Sequence, residues 1–298
     1  MQAVKGAGSS SGLKGAVRGL IAELPGVRQW RLRRYRKKVQ STADWKFWGV
    51  FSSYQEALAA APDNPALQVG YDTPGIADRG HEDYRRMHTF DYPALVWLAL
   101  FAGAARDKDP GSACTVVDLG GHLGFKYQAF LRFWRPPRGF RWIVCETPAT
   151  VEAAARLPAS QRSSGLSFSS DMGILNGTQI LHASGVLAYL DEELWEILDG
   201  VDEPPRHLVL NKVPLTRGEG FWTVQNASGL AAVPYHVMPR KRFLDELAAR
   251  GYRLVDEWSI PERTVEIPFY PGRGTTAGTG MSLSRDAGDP SPLRGPAS

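Results

Sequence analysis

From residue 114 onward, short apolar runs alternate with helical segments, and this pattern constrains the fold more strongly than any other feature of the chain. Runs that stay apolar, rather than alternating with polar residues, are typical of strands buried on both faces of a parallel sheet. The predicted strands are residues 114–120, 141–146, 166–171, 178–184, 207–212 and 252–260. Because helical segments lie between most of them, the pattern predicts βαβ units and a parallel sheet with helices on both faces.

Composition divides the chain into four predicted parts. Residues 1–40 form a basic leader, partly disordered at its Gly- and Ser-rich start, and residues 41–110 form a cap of helices and aromatic side chains. Residues 111–286 contain the predicted sheet, and residues 287–298 are predicted to be a disordered tail. Near the end of the third part, the run MSLSR is predicted to be a last strand that pairs antiparallel beside the sixth.

Two features ahead of the sheet predict helices. Ser53 and Glu56 form a capping-box pattern before the segment YQEALAAA. Residues 82–104 place apolar side chains near one face of a second helix, and Pro93 predicts a break within it.

The positive charge of the chain is concentrated in one segment. The formal net charge is +4 at pH 7, and residues 28–38 contain seven basic side chains and no acidic one. Such a segment is typical of a solvated leader. The interleaved Trp30, Leu32 and Tyr35 also fit a patch for an anionic partner, and weak association with an anionic membrane surface is therefore kept as the alternative. One basic run is weak evidence for nucleic acid, and we expect no nucleic-acid partner.

Cysteine content, hydropathy and histidine spacing argue against several classes of protein. Two cysteines, Cys114 and Cys145, are fewer than a secreted disulfide scaffold uses. No apolar run reaches the roughly 18 residues that span a bilayer, and the first residues carry charges where a secretion signal needs an apolar core. The histidines lack the spacing of metal ligands. We expect a cytoplasmic protein without a metal site.

The first predicted strand ends in a glycine-rich turn, VVDLGGHLGF. Three glycines follow Asp118 in this turn: Gly120, Gly121 and Gly124. A turn between a strand and a helix exposes backbone N–H groups, and glycine lets a ligand approach them closely. The dinucleotide fingerprint G-x-G-x-x-G fails here, because His122 and Phe125 occupy its later glycine positions. An acid two residues before the first glycine would repel pyrophosphate, whereas it suits a ligand with an ammonium group and hydroxyls.

S-adenosylmethionine is such a ligand, since it carries an amino-acid end, a sulfonium, a ribose and an adenine but no phosphate. We expect Asp118 to hold the amino-acid end, directly or through water, and the glycines to let the main chain pass under the ribose. Glu146 closes the second strand, where an acid would bind the ribose hydroxyls. Asp171, after the third strand, would take the adenine amino group, and Ser184, ending the fourth, would border the transferred methyl. Each residue alone is also an ordinary turn, strand-end or capping residue, and the combination is what favours the cofactor.

The segment from about residue 45 to 285 resembles a family of class I S-adenosylmethionine-dependent methyltransferases found in bacterial polysaccharide and natural-product gene clusters. The matching pieces include FWGVFSSYQEALAA, VVDLGGHLG, SGVLAYL, LVLNKVPL, WTVQN and GYRLVDEW. The resemblance implies a Rossmann-like α/β fold with a seven-stranded, mostly parallel sheet of order 3-2-1-4-5-7-6, and an N-terminal helical extension. It also implies an enzyme that uses S-adenosylmethionine and releases S-adenosylhomocysteine.

Methyl transfer from a sulfonium is an in-line displacement, and alignment of the reacting groups can supply about 7–11 kcal/mol of the barrier. A hydroxyl acceptor favours a nearby base. We expect His236 to be the first candidate base and His122 the second. His122 belongs to the glycine turn and is also expected to be a cofactor-binding residue. His182 lies inside the fourth strand and is expected to be a core histidine.

Acceptor-binding residues are predicted in two segments. Residues 213–238 are an insert of the kind that shapes the acceptor pocket in this fold, and it contains Gln225 and Tyr235. Tyr71 and the aromatic segment 45–51 are expected either to form a lid, because aromatic walls attract a sulfonium, or to form a small core under the N-terminal helices.

The sequence favours methylation of a small molecule or a glycan, with an oxygen acceptor slightly preferred over nitrogen or carbon. Nucleic-acid methylation is disfavoured, because the fourth strand is followed by SGVL rather than an Asn/Asp-Pro-Pro-aromatic run, and neither cysteine follows a proline. A non-catalytic binding protein with the same fold and a nicotinamide oxidoreductase are the competing classes. Asp118, the glycine turn and Glu146 argue against the first, and the glycine order argues against the second.

Overall fold

The structure, a computed structural model, describes residues 25–40, 46–61, 68–69, 81–108, 113–158, 163–227, 231–275 and 277–285. The predicted disordered start and the tail at 287–298 lie outside these residues, as does Tyr71.

Helices and strands alternate along most of the described chain. The helices are α1 (Pro25–Gln40), α2 (Tyr54–Ala59), α3 (His81–Arg85), α4 (Asp91–Lys108), α5 (Phe125–Phe130), α6 (Pro148–Ala155), α7 (Leu194–Asp199) and α8 (Arg240–Ala249). The strands are β1 (Lys46–Phe51), β2 (Gln68–Val69), β3 (Thr115–Leu119), β4 (Arg141–Cys145), β5 (Leu166–Ser169), β6 (Ile180–Ser184), β7 (His207–Val213), β8 (Leu215–Thr216), β9 (Phe221–Ala227), β10 (Ala231–Pro239), β11 (Arg253–Ile260), β12 (Val265–Glu266), β13 (Gly274–Thr275) and β14 (Gly278–Ser284). Two short 3₁₀ helices span Met172–Leu175 and Leu187–Tyr189.

The central sheet has seven strands in the order β5-β4-β3-β6-β7-β14-β11. Numbering these strands along the chain gives 3-2-1-4-5-7-6, the order that the family resemblance implies. Neighbouring strands are parallel except for β14, which is antiparallel to both β7 and β11. The prediction that MSLSR pairs antiparallel beside the sixth strand is confirmed, since Met281 pairs with Glu257 of β11.

Helices cover both faces of this sheet, as predicted. All five residues of β3 are buried, which explains why the strand is apolar without alternation. On one face, Leu98 of α4 and Phe130 of α5 belong to a buried cluster with residues of β3, β4, β6 and β7. On the other face, Trp195 of α7 and Phe243 of α8 do the same. Full burial of a large apolar side chain contributes about 1.5–3 kcal/mol, so these two layers hold the sheet in place.

A second sheet, which the sequence interpretation missed, has the order β1-β9-β10-β2, and β8 also pairs with β10. β1 comes from the aromatic segment near residue 46, and β9 and β10 come from the predicted insert at 213–238. β1 and β9 are antiparallel, with Phe47 opposite Gln225, and β9 and β10 are antiparallel, with Gln225 opposite Val233. The insert is therefore a hairpin that the N-terminal segment extends by one strand.

Two predicted helix starts differ in detail from the structure. The segment 82–104 is broken as predicted, but the break lies at residues 86–90, ahead of Pro93. Pro93 lies in the first turn of α4, where its missing N–H has no helical partner to lose. Ser53 caps α2 as predicted, accepting a hydrogen bond from Glu56 N at 3.2 Å, whereas the Glu56 carboxylate accepts from the N–H of Ser52 at 2.9 Å.

Candidate functional site

The turn between β3 and α5 has an unusual backbone. Gly120 and Gly124 have φ angles of 67° and 72°, and His122 between them has a φ of 55°. A left-handed conformation is costly for a residue with a Cβ, so the strained His122 indicates that its surroundings fix the turn.

Each glycine of the turn lies against another part of the protein. A Cβ atom at Gly120 would overlap Val186, and one at Gly121 would overlap the carboxylate of Asp118. A Cβ atom at Gly124 would lie 2.8 Å from Leu166. Packing therefore requires glycine at residues 120 and 121, whereas the left-handed backbone favours glycine at residue 124.

Asp118 lies under this turn and is held by its neighbours in the sheet. Its Oδ1 lies 2.7 Å from His182 Nδ1, and its Oδ2 accepts a hydrogen bond from Trp142 Nε1 at 3.2 Å. Asp118 and His182 are each only 1% exposed. His182 is buried in the core as predicted, although its Nε2 has no hydrogen-bond partner among the described residues. Both oxygens of Asp118 are bonded to protein side chains.

Glu146 contacts the turn from the next strand. Its Oε1 accepts from the N–H of His122 at 3.0 Å, and its Oε2 accepts from the N–H of Thr147 at 3.0 Å. The turn thus lies between two carboxylates. The carboxylate of Asp118 lies next to Gly121, and the carboxylate of Glu146 accepts a hydrogen bond from the N–H of His122.

Asp171 and Ser184 follow the neighbouring strands. Asp171 is exposed, and its Oδ1 accepts from the N–H of Gly173 at 2.8 Å, which caps the 3₁₀ helix after β5. The Oγ of Ser184, at the end of β6, is buried and has no hydrogen-bond partner in the described part of the chain. Leaving a buried polar group unsatisfied costs about 1–3 kcal/mol, so this hydroxyl fits a site where a ligand supplies the bond.

The predicted cofactor residues lie along one edge of the sheet. β5, β4, β3 and β6 are consecutive and parallel, so their carboxyl ends meet there, where ligands bind in open α/β sheets. The glycine turn, Glu146, Asp171 and Ser184 all follow these ends. Asp118 differs from them, because it is one residue inside its strand and is enclosed by protein.

A buried ion pair that the sequence interpretation missed positions the helix after the turn. Lys126 of α5 lies 2.7 Å from Asp91, the first residue of α4, and also donates to the main-chain oxygen of Arg86 at 2.7 Å. Both side chains are buried. A helix as short as α5 is not stable alone, and this pair ties its first turn to α4. In the sequence, the lysine that follows Phe125 was the one sign of this ion pair. It did not identify the partner, because Asp91 lies 35 residues earlier in the chain.

Two of the predicted acceptor residues are brought together. Tyr189 OH donates to Gln225 Oε1 at 2.8 Å, and the rings of Tyr189 and Tyr235 lie 5.1 Å apart. Burial, followed by the nearby Tyr189, raises the pKa of Tyr235 above its ordinary value. Tyr189 ends the 3₁₀ helix that follows Val186, the residue packed on Gly120. Gln225 and Tyr235 are therefore connected to the glycine turn through one short segment.

His236 lies on the other face of the second sheet from Tyr235, because neighbouring strand residues point to opposite faces. Its ring stacks on Trp222 with centroids 4.3 Å apart, and its Nδ1 lies 3.5 Å from Glu193 Oε1. Burial, followed by Arg242, lowers the pKa of His236 to about 4, and burial raises the pKa of Glu193 to about 7. The contact is therefore between two uncharged groups from about pH 4 to 7. The second candidate base, His122, stacks on Tyr84, and the two ring centroids lie 4.8 Å apart.

Within the described residues, no group of three His, Cys, Asp or Glu side chains could hold a metal ion. The helices of the same residues include none with the length and apolar character needed to cross a membrane. Cys114 and Cys145 are buried and free, and burial raises the pKa of each thiol to about 11. Both are protonated near neutral pH and are poor nucleophiles.

No protein-family model and no curated protein matches this chain. Among solved structures it is similar to the glycopeptide N-methyltransferase MtfA complexed with S-adenosyl-L-methionine, with 14% identity, 62% of this chain and 92% of that chain covered, and a TM-score of 0.39. It is also similar to the mitomycin 7-O-methyltransferase MmcR, with 16% identity, 89% of this chain and 70% of that chain covered, and a TM-score of 0.42. LepI in complex with SAM has 16% identity and a TM-score of 0.44, and the match covers 78% of this chain and 54% of that chain. This chain therefore spans about half of the length of LepI. At these identities and TM-scores the likenesses assign no activity or ligand to this chain.

Proposed function

We propose that this chain is a class I S-adenosylmethionine-dependent methyltransferase that acts on a small molecule or a glycan, with an oxygen acceptor slightly favoured. The observation that carries the proposal is the edge formed by the glycine turn, Glu146 and the unpartnered hydroxyl of Ser184. These groups follow three neighbouring strands, β3, β4 and β6, whose order is that of the methyltransferase fold. A phosphate-free ligand suits this edge, since the glycine order G-G-x-x-G of residues 120–124 departs from the dinucleotide fingerprint G-x-G-x-x-G.

In this proposal the protein binds and orients, and the sulfonium of the bound cofactor supplies the methyl group. Glu146 accepts hydrogen bonds from the ribose hydroxyls, because a carboxylate oxygen can accept a second hydrogen bond beside a main-chain N–H. Ser184 borders the methyl group, and Asp171 takes the adenine amino group. Asp118, with both oxygens bonded to protein, supports the turn at Gly121 and reaches the amino-acid end only through water.

The acceptor side is proposed to include Gln225 and Tyr235, through their contacts with Tyr189. His122 is the stronger candidate base on position, because it belongs to the glycine turn, while His236 is buried on the far face of the second sheet. Both bases stay predictions, as do Tyr71 as an acceptor residue and a location in the cytoplasm. Nitrogen and carbon acceptors are the alternatives within the same reaction class.

Calorimetric titration with S-adenosylmethionine, S-adenosylhomocysteine and NAD tests the proposal. We expect both sulfur nucleosides to bind and NAD to fail. Glu146→Gln should weaken S-adenosylhomocysteine binding by about tenfold to a hundredfold, the range for a hydrogen bond to a charged group. Glu152→Gln, on the exposed face of α6, is the matched control and should bind normally. Binding of NAD without either sulfur nucleoside would show that the proposal is wrong.

We also propose that α1 associates weakly with an anionic membrane surface. Trp30 is 59% exposed on this helix, an unusual position for a large aromatic side chain, and basic side chains surround it. Clusters of basic side chains are attracted to the negative surface of anionic lipid.

A further inference from the structure

A lysine at the end of β7 lies beside the end of β6. Lys212 has a φ of 57°, which a lysine seldom adopts, so its surroundings hold its direction. A Cβ atom at Gly185 would lie 3.6 Å from both Cβ and Cε of Lys212, so the lysine side chain runs along Gly185, next to Ser184. The Lys212 ammonium lies 5.8 Å from the centre of the Phe90 ring.

An arginine approaches the same ring from another element. The guanidinium of Arg263, in the loop after β11, lies 5.8 Å from the centre of the Phe90 ring. Arg263 is exposed and forms no ion pair with another described residue. The neighbouring Glu262 accepts from Thr89 Oγ1 at 3.3 Å instead. Two cations thus flank one aromatic ring.

Phe90 is itself fixed to the end of the sheet. Asn211, the residue before Lys212, donates from Nδ2 to the main-chain oxygen of Phe90 at 3.1 Å, and its Oδ1 accepts from Trp258 Nε1 at 3.2 Å. The positions of the ring and of Lys212 are therefore set by the same strand.

These contacts lie beside the position where the acceptor is proposed to lie. Tyr235 contacts Tyr189, and the segment of Tyr189 leads back to Gly185 and the glycine turn. Gly185 therefore lies between Lys212 and Phe90 on one side and the segment of Tyr189 and Tyr235 on the other.

From this geometry we infer that the acceptor carries an anionic group, a carboxylate or a phosphate, which Lys212 and Arg263 bind. The inference rests on the proposed function, because it takes Ser184 to border the transferred methyl group. Charge-assisted hydrogen bonds from two cations would fix the orientation of the acceptor as well as attract it.

Two probes of the same shape and different charge test the inference. 4-Hydroxybenzoate and 4-hydroxybenzamide are titrated into the full-length protein saturated with S-adenosylhomocysteine, and binding is followed by NMR. We expect the carboxylate to bind about tenfold more tightly than the amide, the value of one charge-assisted hydrogen bond. Arg263→Gln and Lys212→Met should each remove most of that preference, while the affinity for the amide and for S-adenosylhomocysteine stays unchanged.

Arg253→Gln is the matched control, because it removes the same charge from the opposite, amino end of β11. It should keep the preference of the wild type. Equal affinity for the two probes, or no binding of either, overturns the inference while the proposed function stands. A loss of S-adenosylhomocysteine affinity in the Lys212 and Arg263 variants also overturns it, by assigning the two cations to the carboxylate of the cofactor. If the wild type does not bind S-adenosylhomocysteine at all, the proposed function fails first and the inference falls with it.

Discussion

At the scale of single residues, the glycine turn shows how one position can serve packing and ligand binding together. Gly120 is left-handed and lies against Val186, the residue that leads to Tyr189 and the second sheet. Any side chain at Gly120 would push this segment away from the turn. The identity of residue 120 therefore affects both the cofactor side and the acceptor side of the proposed site.

Gly120→Ala tests this dual role. A left-handed alanine costs roughly 1–2 kcal/mol, and overlap with Val186 should add about 1–3 kcal/mol. Gly272→Ala is the matched control, because Gly272 is also left-handed, with a φ of 81°, but a Cβ atom there meets nothing within 4 Å. Urea denaturation should show the larger loss for Gly120→Ala, and calorimetry should show weaker S-adenosylhomocysteine binding for that variant alone. Equal losses of stability would contradict the packing argument.

At the scale of elements, α1 has two different surfaces. Its second half is attached to the second sheet, where Tyr35 OH donates to the main-chain oxygen of Phe47 at 3.2 Å and Val39 is fully buried. The opposite surface carries the exposed Trp30 and a set of exposed basic residues: Arg33, Arg34, Lys37 and Lys38. The helix is thus held by the protein on one side and presents positive charge and an aromatic ring on the other.

We expect the full-length protein to sediment with vesicles of phosphatidylcholine and phosphatidylserine and not with phosphatidylcholine alone. Each basic side chain near an anionic surface contributes about 1 kcal/mol. The double variant Arg33→Gln, Arg34→Gln should therefore bind at least about tenfold more weakly. Arg132→Gln with Arg135→Gln, an exposed pair outside α1, should bind as the wild type does. Binding that is equal on both kinds of vesicle, or insensitive to salt, would argue against an electrostatic surface.

At the scale of the whole molecule, a titrating contact joins the second sheet to the helices of the central sheet. His236 belongs to β10, and Glu193 is the N-cap of α7. His236 has a pKa of about 4 in place of 6.5, so the unfolded chain takes up a proton in this window and the contribution of His236 to stability is lost as pH falls. Glu193 has a pKa of about 7 in place of 4.5, so its contribution is lost as pH rises.

The two effects oppose each other between pH 4.5 and 6.5, and removing one should reveal the other. In Glu193→Gln, the free energy of unfolding should fall on acidification across this range, by up to about 1.4 kcal/mol per pH unit. His236→Gln should show the reverse slope. Glu192→Gln, an exposed neighbour, should keep the flatter profile of the wild type. Urea denaturation at several pH values measures the free energy of unfolding of the wild type and of the three variants. The same slope with pH in Glu193→Gln and His236→Gln would contradict the assignment.

Much of the fold and part of the candidate site follow from local sequence patterns. The mainly apolar runs of β3, β4, β6 and β7 predicted the parallel sheet, because burial on both faces leaves few polar positions in a strand. The glycines after β3 predicted the turn, since a left-handed backbone and close packing both require them. Glu146 was placed at the cofactor edge by its position at a strand end alone.

Long-range contacts supplied the rest. The pairing of β1 with β9 joins Lys46 to Asn226, and most strands of the central sheet lie between these two residues in the sequence. The pattern of KFWGVF does not indicate a partner so far along the chain. The bonds of Asp118 to His182 and Trp142, and the face on which His236 lies, depend on strands that meet only when the sheet assembles. Thus the sequence by itself determined the elements, the sheet order by resemblance and the glycine turn, because these depend on neighbouring residues and on short connections. Only the tertiary structure decided the second sheet, the enclosure of Asp118 and the two cations beside Phe90, because those depend on side chains brought together from distant parts of the chain.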